Sequence, residues 1–284
     1  AGFLLGWLGL AWSFFGSSIV MLAFTVYFVL YSKERPQSVG LSLEDDAEPD
    51  VAAPGPRKAG DARESALPAG FVSLIVAMGL IYFGFKFLRY ALDSWSVLIL
   101  GEHFGMTTSI AAYWSTAFDW IGFLGVLAAG FWSDRIPGSR RTPVIFWMTA
   151  GCLVFTCAMW LVGLTSPILF VALLGLIGFM AMGPDSLLSG ACAMDAGSRR
   201  QAALAAGVIN GFGSIGPILQ EPVIGWLKQT RGLDAVFLLL VGVVFLTTVA
   251  TGLLARVLLR VGFVDDRAVL DEEVPDAPRQ LGVG

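Results

Sequence analysis

From Phe3 to Tyr31 the chain carries no charged residue, and apolar runs of similar length recur along most of the sequence. A helix needs about 20 apolar residues to cross a hydrocarbon core ~30 Å thick. Soluble domains are roughly 25 % charged, whereas here 14 % of residues are charged and 56 % hydrophobic, with mean hydropathy +0.75. Thirteen of the forty charged residues crowd between Lys33 and Glu64. An all-α, polytopic membrane protein is expected.

Charge-free windows place seven transmembrane helices. The first ends at Tyr31. Lys33 to Leu67 is polar: Glu44, Asp45, Asp46, Glu48 and Asp50 precede the Ala-Pro-Gly stretch Ala52–Pro56. Such a composition buries too little apolar surface to order itself and reads as a flexible linker. The second span runs from Phe71 to Leu100, the third from Ser109 to Trp132 and the fourth from Pro143 to Leu164. The fifth starts at Pro167 and carries Gly183, Pro184 and Asp185, the sixth runs from Gln201 to Trp226, and the seventh from Leu233 to Leu259. Proline suits a helix start, where its missing N–H has no partner anyway. The first residue is Ala, and the first run lacks the charged start and cleavage site of a signal peptide, so a fragment or a processed chain is expected.

Fourteen of the eighteen Lys and Arg residues fall on one side of these spans, only Lys228 and Arg231 on the other, and Lys86 and Arg89 inside a span. Cytoplasmic loops collect basic residues, which places the linker and C-terminus inside the cell and the N-terminus outside. One helix, a long inner linker and six closely joined helices form the layout of the second half of a two-times-six transporter, with a midplane site between parallel halves. The expected divisions are residues 1–32, the last helix of a preceding half; 33–68, a cytoplasmic linker; 69–262, a six-helix bundle; and 263–284, a cytoplasmic tail.

Lys86 and Arg89 lie fifteen and eighteen residues into the second span, near mid-depth at ~1.5 Å per residue. A charge there costs about 2.5–3.5 kcal/mol. Lys86, Arg89 and Asp93 follow i, i+3, i+7 and share one helix face. Arginine offers a planar fork matched to phosphate or carboxylate, and lysine adds a compact charge. The same residues would serve as helix glue if Asp93 or Asp119 neutralised Arg89. Two bases and an acid on one midplane face exceed what glue needs, which favours an anion site.

Asp119 falls mid-span, followed by Gly122 and Gly125, which permit close helix approach. Asp185 follows Gly183-Pro184, where proline frees a carbonyl and permits a kink; it lines the cavity or sits half-hydrated near the cytoplasmic end. Asn210, the only asparagine, lies within a glycine-rich run from Gly207 to Gly213. Trp95, Trp114 and Trp120 suit either a cavity or the membrane interface. One histidine, His103, removes most histidine chemistry, and Cys152, Cys157 and Cys192 give neither a disulfide framework nor metal-ligand spacing. A net charge of −4 argues against nucleic acid. No nucleophile–base pair, cofactor motif or metal cluster is evident, so an enzyme is not expected.

Four stretches now resemble the organophosphate:phosphate antiporter branch of the major facilitator superfamily, over roughly residues 6–262. They are Lys33–Leu41; Lys86–Trp95; Gly130-Phe-Trp-Ser-Asp134-Arg135 with Arg140 and Arg141; and Gly183–Gly190 through Asp195 with Asn210–Gly216. The third is similar to the Gly-x-x-x-Asp-Arg cytoplasmic gating motif of the superfamily. The resemblance implies helices six to twelve of a twelve-helix transporter, with the N-terminal half absent. Bacterial glycerol-phosphate transporters have a phosphoryl-binding arginine where Arg89 falls, and the animal sugar-phosphate exchangers have a lysine nearer Lys86. Asp119 matches an acidic residue of helix eight.

The function so implied is rocker-switch exchange of an organic phosphate, glycerol-3-phosphate or a sugar phosphate, for inorganic phosphate. Arg89 and Lys86 would clamp the phosphoryl group. Tyr90, Asp93, Asp185 and Asn210 would contact the organic part or hold the bases, and Asp119 would exchange partners between states. The partners are then these phosphates, the lipid bilayer of a bacterial inner membrane, and the other half of the transporter. Some relatives instead sense external sugar phosphate, and others in the superfamily carry carboxylates. Both remain open on the residues alone.

Overall fold

The computed structural model describes residues 10–32, 71–136, 141–191 and 199–272, and every regular element among them is helical. Helix α1 is Leu10–Tyr31, α2 Phe71–Glu102, α3 Thr108–Ser115, α4 Ala117–Arg135, α5 Arg141–Val162, α6 Pro167–Ser186, α7 Arg199–Arg231 and α8 Leu233–Glu272. A 3-10 turn, Gly163–Thr165, leads into α6, and a π-helical turn, Leu187–Ala191, leaves it. Among the described residues six stretches are long and apolar enough to cross a membrane, α3 and α4 together making one. The described apolar part of α1, Phe15–Tyr31, is shorter, and its side chains are almost all exposed. The expected linker 33–68, Arg140 and Asp195 lie outside the described residues.

Three boundaries differ from the hydropathy reading. The third span is interrupted at Thr116, whose hydroxyl donates to the Tyr113 carbonyl at 2.6 Å; such local side-chain bonding competes with the helical ladder. Helix α7 outlasts its apolar window by five residues, to Arg231. Gly232, at φ +81°, then stops it, its N–H donating to the Lys228 carbonyl at 3.0 Å. That left-handed conformation suits glycine because a Cβ would clash there. Helix α8 continues past Leu259 to Glu272.

In the membrane, helix association rests on close packing rather than on removal of water. Helices α4 and α6 illustrate this. A Cβ on Gly125 would run into the Phe179 carbonyl, and one on Gly178 into that of Phe118, so the two backbones touch. Helices α2 and α7 form a second long contact, and α5 joins α6 to α8. Between them, Leu88, Leu100, Leu174 and Ile177 are wholly buried. The buried threonines are satisfied within their own helices: Thr149 donates to the Ile145 carbonyl, Thr156 to Cys152 and Thr251 to Thr247, at 2.5–2.7 Å. No hydroxyl of this set is stranded in an apolar interior.

Candidate functional site

One face of α2 presents Tyr82, Lys86, Arg89, Tyr90 and Asp93, residues spaced by three or four. The lysine ammonium lies over both rings, 5.1 Å from the centre of Tyr82 and 5.4 Å from that of Tyr90. Tyr82 is 2 % exposed and Tyr90 37 %, so one ring is part of the packed interior and the other opens onto the surface. Among the described residues no carboxylate comes within ion-pair distance of Lys86. Aromatic faces, which attract cations by about 0.5–2 kcal/mol, take that place. Helix α7 packs directly alongside. A Cβ on Gly213 would strike the Tyr82 ring, and one on Gly216 would meet the α2 backbone at Phe83 and Phe87.

Arg89 is paired. Its Nη1 donates to Asp185 Oδ2 at 2.8 Å, across from α2 to α6. The side chains are 33 % and 10 % exposed, so the bond lies at the edge of the packed interior. Asp185 Oδ1 is buried and accepts no hydrogen bond among the described residues. The local sequence sets this carboxylate where it is. Pro184 cannot donate to the carbonyl a turn back, and the π turn follows at once, a local distortion frequent at functional sites. Ser186 and Ser189 occupy carbonyls of the same segment, donating to Gly183 and Asp185 at 2.8 Å each.

Arg89 thus takes Asp185 as its partner, and neither Asp93 nor Asp119 is within ion-pair distance of it. Both of those carboxylates are exposed, and they are close enough that the charge of Asp119 acts on Asp93, as does that of Arg89. Asp119 occupies the first turn of α4, after the break at Thr116. Lys86, Arg89, Tyr90 and Asp185 come together, with Asp93 and Asp119 at the margin.

Asn210 is exposed, and its amide donates to the Ala206 carbonyl of its own helix at 2.9 Å. It shares a flank of α7 with Ser214 and Glu221, both exposed, while Ile215, Leu219 and Trp226 occupy the opposite flank. A helix with one polar and one apolar flank beside the seam to α2 is suited to separate water from lipid. At the end of α4, Gly130 has open space where a Cβ would be, Asp134 is exposed, and the Arg135 guanidinium lies 3.8 Å from the Phe131 ring centre. Arg141 opens α5.

Two residues at this site lie outside the expected set. Tyr82 was available from spacing alone, four residues before Lys86 as Tyr90 is four after it. Glu221 interrupts an apolar window between Pro217 and Pro222, and only the helix geometry shows that it shares the flank of Asn210.

A family model described as Major Facilitator Superfamily matches residues 74–279. The membrane sensor protein UhpC of Salmonella typhimurium is 29 % identical over 199 residues, covering 68 % of this chain and 44 % of that protein. The glycerol-3-phosphate transporter of Bacillus subtilis is 26 % identical over 237 residues, 80 % of this chain and 52 % of that protein. Sugar phosphate exchanger 3 of Mus musculus is 26 % identical over 217 residues, 72 % and 42 %. The chain therefore spans about half the length of each of these relatives.

Proposed function

The chain belongs to the major facilitator superfamily, and we propose that it forms the second wall of an exchanger trading an organic phosphate for inorganic phosphate. Relatives named as a glycerol-3-phosphate transporter and a sugar phosphate exchanger support the substrate class. The observation that carries the reading is the pair Lys86 and Arg89, one turn apart halfway along an apolar helix, with one carboxylate, Asp185, bonded to Arg89. That trio holds one more positive charge than negative. A phosphoryl dianion presents several oxygens to be shared between a guanidinium fork and an ammonium.

The chemistry is binding, with no bond made or broken. In the structure Asp185 holds Arg89. An arriving phosphoryl group takes the guanidinium from Asp185 and the ammonium from its aromatic clamp, and Tyr90 and Asp93 face the organic part. A ligand shifts a conformational equilibrium only by its differential affinity for the two states. The cationic face resists enclosure in a low-dielectric closed form when empty, and the anion removes that resistance. The polar flank of α7 with Asn210, Ser214 and Glu221 lines the aqueous side. The opposing wall comes from another six-helix half, with the basic ends of both facing the cytoplasm. This half does not transport alone.

The test is exchange by the complete transporter in liposomes loaded with inorganic phosphate, supplied with labelled glycerol-3-phosphate or hexose phosphate. Arg89→Lys loses the bidentate fork and is expected to weaken phosphate binding about tenfold, on the order of 1.4 kcal/mol. Unchanged affinity would remove Arg89 from the site. The likeness to UhpC, a membrane sensor by name, favours a second reading in which the same site binds sugar phosphate to signal. Tight binding without exchange selects that reading.

A further inference from the structure

Helices α5 and α8 leave a groove of about 500 Å³ between them. Its walls are Phe146, Trp147 and Leu153 of α5 with Phe245, Val249 and Leu253 of α8. The one hydroxyl there, of Thr248, already donates to the Val244 carbonyl at 2.7 Å. Gly252 brings the Phe146 ring to 3.0 Å from where a Cβ would stand, which closes the floor. Arg256 lines the groove at one end, is exposed, and has no carboxylate partner among the described residues.

Dimensions and charge select the occupant. Phe245 and Arg256 are eleven residues apart in one helix, about 16 Å at 1.5 Å per residue. That is half of a ~30 Å hydrocarbon core, one leaflet. Apolar walls over that length with a single cation at one end match an acyl chain that runs up to an anionic headgroup. Pro143 lies at the same end as Arg256, with Arg135 and Arg141 close by in sequence, so the cation stands at the basic end of the bundle. Basic residues collect on the cytoplasmic side, whose leaflet carries anionic lipid.

We propose that this groove is a binding site for an anionic phospholipid, one acyl chain lying along α5 and α8 and the headgroup phosphate resting on Arg256. The site stands on the membrane placement of the bundle and is independent of phosphate exchange. One cation near an anionic headgroup gives a preference of about fivefold over a zwitterionic lipid.

The experiment uses the complete protein, purified in detergent and given phosphatidylglycerol or phosphatidylcholine with a photoreactive group midway along one chain. The expected result is labelling of peptides from α5 and α8, favouring phosphatidylglycerol about fivefold. Arg256→Gln, a surface change that leaves the packing alone, is expected to bring the two lipids to parity without abolishing labelling. Gly252→Leu, which fills the floor, is expected to reduce labelling by both. Equal labelling of the unaltered protein by the two lipids, labelling confined to other helices, or a preference that survives Arg256→Gln would each overturn the proposal. So would capture of α5 by a second copy of the protein in place of lipid.

Discussion

Replacing Asp185 with asparagine separates two roles that a carboxylate at this position could have. If it competes with the substrate for Arg89, its removal tightens anion binding; if it only aims Arg89, its removal weakens it. Two unit charges about 4 Å apart attract by roughly 4 kcal/mol at an effective dielectric near 20, which suits a bond whose arginine is 33 % exposed. Exchange with water leaves a charged hydrogen bond worth about 1.5–3 kcal/mol net, and a neutral one about 0.5–1.5. Asparagine keeps the shape and one neutral acceptor, so the competitor weakens by about 1–1.5 kcal/mol, or roughly five- to twelvefold in phosphate affinity. Calorimetric titration of inorganic phosphate into the complete protein reads this directly. The variant should bind more tightly and exchange more slowly, because its empty cationic face lacks an internal counter-ion. Unchanged or weaker binding in Asp185→Asn refutes the competition.

Tyr82→Phe keeps the ring under Lys86 and should leave phosphate affinity unchanged, whereas Tyr82→Leu loses about 0.5–2 kcal/mol of cation–π attraction and should alter it; equal behaviour of the two variants would mean the stack has no part in binding. Gly125→Ala drives a methyl into the Phe179 carbonyl, while Gly130→Ala meets open space. The first is expected to lower thermal stability by about 1–3 kcal/mol, the usual penalty of overpacking, and the second to leave the melting temperature where it was. Lys228 bonds Glu102 at 2.5 Å and lies 5.7 Å from the centre of the Trp95 ring. Since Glu102 is 58 % exposed, Glu102→Gln should change stability by less than about 1 kcal/mol, as read by thermal unfolding.

The membrane spans were legible because hydropathy over twenty residues is a local property, and Pro167 marks a helix start by its backbone chemistry. The shared face of Lys86, Arg89 and Asp93 was equally legible, since three- and four-residue spacing fixes it. The partner of Arg89 was not. Asp185 lies 96 residues away, and which turn of α6 meets which turn of α2 depends on the fit of whole helices, including the backbone contact at Gly125 and Gly178. Two nearer carboxylates, Asp93 and Asp119, looked equally able to serve. The break at Thr116 escaped for another reason: a hydroxyl turning back onto Tyr113 changes no hydropathy window.

The helices are joined in tight couples, α4 with α6 and α2 with α7, and among the described residues the Arg89–Asp185 bond is the one side-chain hydrogen bond that laces the first couple to the second. A guest that unfastens this stitch therefore acts on a seam as well as on a single arginine. The flush glycine joint of α4 and α6 would carry such a shift from one end of the couple to the other, since backbones in contact leave no soft side chains to absorb it.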